Sequence, residues 1–218
     1  MQAHNEFIIP NNVRMQLQRL EHDHMPVVLM TCGIAGKQPA VSYFQAPYQI
    51  HIIYPNTDTS GACNKGAGKT TLTKAVLAEF PSFRRISIDE IIYSRHGLYN
   101  IDYPADKYAE FSVEARDICL REVEQLLRDQ KKDIVLDRSF WAKGDRDFYS
   151  DLIRRAGARP VLVYLKAPRD VLWKRICERR AKGVDADCAL EIGEELLDRY
   201  CEVFEAPVGE GEIVIETN

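Results

Sequence analysis

No apolar run in this 218-residue chain approaches the ~20 residues that a membrane-spanning helix needs. A basic surplus is missing too. Lys and Arg number 29 against 33 Asp and Glu, a net charge of −4, so no global positive field draws in nucleic acid or an anionic membrane surface. The 6 cysteines form no CxxC pair, and nothing at the N-terminus resembles a secretion signal. Reduced thiols in the cytoplasm are the expectation. With only 12 Gly and 10 Pro among 45% hydrophobic residues, the chain is no low-complexity polymer and can bury a core. Its length suits one α/β domain, and no internal repeat is visible. His22 and His24 lack the further partners a metal site needs and read as part of a solvated linker.

Charge is present but uneven. Lys166, Arg169, Lys174, Arg175, Arg179, Arg180 and Lys182 cluster within residues 166–182, whereas residues 186–218 are acidic apart from Arg199. A local basic cluster in an acidic chain points to a small anionic ligand. Hydrophobic patterning places a possible helix after Asn12 in an N-terminal extension, residues 1–25. The unbroken apolar run Val27–Met30 predicts a strand buried on both faces. Helices are expected over Lys69–Phe80, Ala105–Arg128, Asp145–Ala156, Val171–Lys182 and Leu190–Phe204. Further strands are expected at Arg85–Asp89, Ile134–Asp137, Val161–Leu165 and Ile213–Ile215. Strands alternating with helices of this length indicate βαβ units and a parallel sheet.

Gly66-Ala67-Gly68-Lys69-Thr70-Thr71 carries the chemistry of phosphate binding. Glycines let backbone N–H groups converge on phosphate oxygens, the lysine bridges the outer phosphates, and a hydroxyl at the helix start takes a place on Mg²⁺. The full pattern, G-x-x-x-x-G-K-[ST] after a buried strand, is incomplete here, because Cys63 stands where its first glycine belongs. The missing half follows the strand at 27–30, as Gly33-Ile34-Ala35-Gly36. Removing residues 37–65 and merging Gly36 with Gly66 gives G-I-A-G-A-G-K-T, which fits at every place. The intervening segment has no helical periodicity and reads as foreign to the fold, most simply a retained intron. Its Gly36-Lys37 junction can be encoded around a donor-like GTAAG, and its Lys65-Gly66 junction around an acceptor-like AG. A genuine surface loop that returns to restore the phosphate loop is the alternative.

Other residues gather round this loop. Asp89 is expected to close the second strand, either as an acid near the reacting phosphate or as a cap, with Glu90, for the next helical turn. Asp137 ends an apolar strand, the position from which an acid holds Mg²⁺, although an ion pair with Arg138 is also open. Arg175, Arg179 and Lys182 share one helix face, opposite Leu172 and Ile176. That face could neutralise phosphoryl charge or pair with the acidic C-terminal third. Arg146 and Lys143 could line an acceptor pocket. Tyr93, Tyr99, Tyr103 and Tyr108 could stack on an acceptor or pack among themselves.

With residues 37–65 set aside, residues 26–217 resemble the small P-loop kinases related to zeta toxins, chloramphenicol phosphotransferase and the polynucleotide kinase phosphotransferase domain. They are most similar to the AAA-type ATP/GTP-binding group of that clan. The resemblance rests on GIAG…GAGKTTL (33–36 and 66–72), ISIDEI (86–91), VLDRSFW (135–141), VYLKAPRDVLWKRICERR (163–180) and FEAP (204–207). It implies a P-loop NTPase fold with a five-stranded parallel sheet of order 2-3-1-4-5, flanked by helices, and a short arginine-bearing lid. It also implies ATP and Mg²⁺ as ligands and a small hydroxyl-bearing acceptor. Gly33, Gly36, Gly66, Ala67, Gly68, Lys69, Thr70 and Thr71 would hold the nucleotide, and Thr70 and Asp137 the metal. Lys69, Asp89, Arg175 and Arg179 would act on the transferred group. The acidic balance and the lack of a long basic, aromatic-studded groove argue against a nucleic-acid acceptor.

Overall fold

β1 (Val27–Gly33) is buried along its whole length, because strands and helices cover it on every side. The computed structural model describes residues 7–18, 25–33, 66–181 and 192–217. Leu20, His22, His24, Gly36, Lys182 and the whole of residues 37–65 lie outside the described residues. β1 pairs in parallel with β3 (Asp133–Asp137) on one side and β4 (Arg159–Lys166) on the other. β2 (Phe83–Ser87) adds to β3, and β5 (Ile213–Glu216) to β4. The sheet order is therefore β2-β3-β1-β4-β5, as the resemblance implied.

Side chains of β1 alternate between two cores, the period-2 rule for a strand covered on both faces. Val27 and Leu29 face α1 (Asn11–Leu17), α2 (Lys69–Glu79), α6 (Arg169–Arg180) and α7 (Glu194–Val203). Val28, Met30 and Cys32 face α4 (Tyr108–Asp129) and α5 (Lys143–Arg155). α1 belongs to the first core, since Ile9, Val13 and Leu17 are buried there. Helix α6 turns Leu172 and Ile176 inward, as its spacing requires.

The expected strand through Asp89 is corrected by the structure. β2 stops at Ser87, and α3 (Ile88–His96) begins at once. Ser87 has extended backbone and its hydroxyl accepts from the Glu90 amide at 3.4 Å, which caps a helix rather than continuing a strand. Asp89 and Glu90 then sit in the first turn, where the helix dipole favours acids. A 3₁₀ turn over Ala105–Lys107 precedes α4, so the long helix starts at Tyr108 rather than Ala105.

Because all five strands run the same way, their C-terminal ends share one edge. Ser87 stands beside Asp137, Gly33 beside Leu165, and Lys166 beside Glu216. Ligands of open α/β sheets bind outside this edge, at the place where strand order reverses. Here that place is the end of β1.

Candidate active site

The chain leaves β1 at Gly33 and returns at Gly66, and the described ends of this excursion lie close together. A Cβ placed on Gly33 would stand 3.0 Å from the Cβ of Ala67 and 2.9 Å from the Leu165 carbonyl oxygen. A Cβ on Gly66 would meet Leu172 at 2.8 Å. Neither position tolerates a side chain without movement. Gly68 adopts φ +93, left-handed backbone that a glycine reaches without steric cost, and it caps the N-terminus of α2. The first amides of α2 are thereby aimed at the edge of the sheet, where an anion gains from both unsatisfied N–H groups and the helix dipole.

Lys69, the first residue of α2, is fully buried, and its Nζ donates to the Gly33 carbonyl at 3.4 Å. This brings its ammonium to the end of β1, between the two halves of the motif. Thr70 is half-buried and Thr71 exposed on the same first turn.

On the β3 side, Asp137 is buried at the strand end. Its Oδ2 accepts from Nε and Nη2 of Arg85 at 2.9 and 2.7 Å, and Arg85 also donates to Glu90 at 3.0 Å. Arg138 donates to Asp145 at 3.2 Å and lies 4.8 Å over the rings of Phe140 and Tyr149. Burial first, then the charge of Asp89, then Tyr99, pushes the Tyr103 phenol up to about 12. Tyr99 meets Tyr103 and Tyr108 edge-to-face, and Tyr103 meets Phe111 likewise at 5.0 Å. These rings pack on one another, while Tyr93 is 46% exposed at the rim.

Two predicted cations take other roles. Arg146 is buried, donates twice to Glu210 at 2.7 and 2.8 Å, and donates to the Phe140 carbonyl at 2.9 Å. It ties α5 to the segment before β5 and does not line an open pocket. Phe140, held in left-handed backbone at φ 42, also accepts from Cys32 Sγ at 3.3 Å. Lys143 pairs with Asp147 at the surface.

The basic face of α6 divides. Arg169 pairs with Glu194 and Asp198 of α7, and Lys166 with Glu216, so part of the cluster does meet the acidic third. Arg175 instead donates to the Gly66 carbonyl at 2.9 Å and to Thr217 Oγ1 at 3.1 Å. It thus braces the returning loop against the residue after β5. Arg179, one turn on, lines a cleft of about 320 Å³ together with Gly66, Gly68, Thr71, Arg175, Thr217 and Phe7. Sequence reasoning missed Arg85, Thr217 and Phe7, which carry no motif. Their partners are distant in sequence, and only the topology brings them in.

The donor set fits a magnesium nucleotide. Amides at a helix start and a buried ammonium suit phosphates, while a hydroxyl and a carboxylate supply the hard oxygens Mg²⁺ prefers. Among the described residues no group of three or more His, Cys, Asp and Glu is arranged to hold a metal, and no helix is long and apolar enough to cross a membrane.

A sequence profile for a family described as an AAA domain matches residues 64–207. The match starts two residues before Gly66 and omits β1, although β1 is the central strand. No curated protein matches the sequence. Among solved structures, a kinase candidate from Chloroflexus aurantiacus superposes with a TM-score of 0.59 at 16% identity, covering 88% of both chains. A chain of the Pnkp1/Rnl/Hen1 RNA repair complex gives 0.57 at 13% identity, over 84% of this chain and 45% of that one. Kti12 from Chaetomium thermophilum, solved with ADP-AlF3, gives 0.53 at 13% identity over 87% and 88%. At such identities the likeness establishes the P-loop fold.

Proposed function

The chain belongs to this AAA-domain family of P-loop proteins, and from that premise we propose that it is an ATP-dependent kinase for a small hydroxyl-bearing acceptor. The observation that carries this reading is the position of Lys69. Its buried ammonium reaches the end of β1, beside a left-handed glycine and the start of a helix, with Asp137 at the end of the adjacent β3 and Asp89 just after β2 beyond it. Backbone groups of Gly33, Gly36, Gly66, Ala67 and Gly68, with Thr70 and Thr71, hold the phosphates. Thr70 and Asp137 hold Mg²⁺, which supplies charge neutralisation on the phosphate oxygens. In the transfer, the acceptor oxygen bonds to the γ-phosphorus as the bond from that phosphorus to the β–γ bridging oxygen breaks. ADP departs, and the acceptor proton passes to the Asp89 carboxylate. Phosphoryl transfer asks chiefly for positioning and charge neutralisation, which Lys69 and the α6 arginines supply. Arg175 acts by fixing the loop, and Arg179 by meeting phosphate charge. The free thiols of Cys32, Cys119, Cys177 and Cys201 suit a cytoplasmic setting.

The test is Mg²⁺-dependent ATP consumption on adding candidate hydroxyl acceptors. Lys69→Ala is expected to abolish it, and Asp89→Ala to slow turnover by about 10²–10⁴-fold while ATP still binds. Intact turnover in Asp89→Ala beside a dead Lys69→Ala would remove Asp89 from the mechanism and leave the nucleotide site standing.

A second reading is supported by one specific feature, the interruption at residues 37–65 between Gly36 and Gly66. We infer that this stretch is an insertion within the phosphate loop, most simply a retained intron. The chain that carries it is then a form without phosphotransferase activity, and the uninterrupted form is the kinase. Support comes from the spliced string GIAGAGKT, from the close approach of Gly33 to Ala67, and from a family match that begins only at residue 64.

A further inference from the structure

The cleft beside the phosphate loop is lined by that loop, by α6, which follows β4, and by Thr217, which follows β5, whereas Asp89 follows β2 and Asp137 ends β3. A linear phosphate chain crossing the end of β1 therefore has its reacting end toward the acids and its nucleoside end in this cleft. Apart from Glu178, whose carboxylate suits a sugar hydroxyl rather than a phosphate, and Ala67, the lining offers glycine backbone, the Thr71 and Thr217 hydroxyls, and two guanidinium groups, which suit phosphate or sugar. A purine needs something else, a flat apolar partner. Among the described residues lining the cleft, Phe7 alone is aromatic.

Phe7 is not on a loose tail. Two residues later the chain is pinned by Ile9, and then by Val13 and Leu17 of α1, all buried in the core beneath α2 and β4. Arg14 of α1 is ion-paired with Glu79 at the end of α2, and Gln16 accepts from Arg159 of β4 at 2.9 Å. The helix that carries the phosphate-binding residues and the strand beside β1 thus both hold the segment bearing the ring. This segment lies outside the family match at 64–207.

We propose that Phe7 is the base-stacking wall of the nucleotide site, so that this N-terminal segment contributes directly to nucleoside binding. The proposal rests on the nucleotide reading above and deepens it. Stacking a base on an aromatic ring is sequence-tolerant, so Phe7 strengthens binding of any purine nucleotide without choosing between ATP and GTP.

The test compares MgADP with inorganic tripolyphosphate, which has the phosphates but no base. Calorimetry is run on the full chain, on a chain lacking residues 37–66, and on Phe7→Ala and Phe7→Trp in each. Where the parent binds, Phe7→Ala should weaken MgADP by about tenfold and leave tripolyphosphate within about twofold. Phe7→Trp should keep MgADP affinity, and MgADP but not tripolyphosphate should quench its fluorescence beyond the quench seen in the parent. Unchanged MgADP affinity in Phe7→Ala overturns the proposal. So does an equal loss of both ligands, which would mark Phe7 as merely supporting the fold. If neither parent binds either ligand, the nucleotide reading itself fails, and this inference with it.

Discussion

Removing residues 37–66 should turn an interrupted phosphate-loop sequence into an unbroken one. The chain between Gly33 and Ala67 then shrinks from about 33 linking residues to about three, between three and four halvings. At ~0.6 kcal/mol for each doubling of loop length, the closure cost falls by roughly 2 kcal/mol. For a domain of this size, 1 kcal/mol moves the melting temperature by about 2–4 °C, so the shortened chain should melt about 4–8 °C higher. No stretching is required, because Gly33 and Ala67 lie so close that a Cβ added to Gly33 would come within 3.0 Å of the Ala67 Cβ. The second part of the effect is ligand linkage. MgADP at a hundred times its dissociation constant adds about 2.7 kcal/mol, or roughly 5–11 °C, to a chain that binds it and nothing to one that does not. Thermal melts of both chains, with and without MgADP, separate the two contributions. Amplifying the transcript across codons 36–67 gives an independent check, with a message lacking codons 37–66 expected. The reasoning is refuted if the full chain gains as much from MgADP as the shortened one, or if the shortened chain fails to fold.

Other tests follow from the buried polar groups. Arg146→Ala or Glu210→Ala leaves one member of a buried pair behind and should cost about 3–5 kcal/mol in a urea titration, whereas Arg146→Met with Glu210→Leu should recover most of it. Burial pushes the Cys32 thiol up to about 12, against 9.0 in the unfolded chain. The native state therefore keeps a proton that the unfolded state releases, and stability should fall as pH rises from 9 toward 12. Cys32→Ala should remove that share of the slope. At pH 8, iodoacetamide should modify the exposed Cys177 quickly, and Cys32 and Cys119 only on unfolding.

What was legible in the sequence was whatever depends on neighbours along the chain. The apolar run at 27–30 announced a strand covered on both faces, and β1 is buried throughout. Leu172 and Ile176 fell on the inner face of α6 because 3.6-residue spacing leaves no other choice. The boundary at Ser87 was misread for an equally local reason. Isoleucines at 86, 88, 91 and 92 satisfy a strand and a helix alike, and the Ser87 cap decides between them.

The site was legible only in part, because half of it is made by topology. Parallel strands in the order β2-β3-β1-β4-β5 bring Asp137 to Arg85 and Glu210 to Arg146, pairs separated by 52 and 64 residues. No periodicity encodes such partners, and the expected roles shifted accordingly. Arg146 became a tether, and Arg175 a brace on Gly66 and Thr217. The same strand order sets the direction of a bound nucleotide. With the acids at the ends of β2 and β3 and the cleft bounded by α6 and by Thr217 after β5, transfer chemistry and nucleoside recognition are expected on opposite sides of Lys69. Substitutions on the two sides should then separate cleanly. Changes at Asp89 should lower turnover at unchanged ADP affinity, and changes at Phe7 should lower ADP affinity while turnover at saturating ATP is kept.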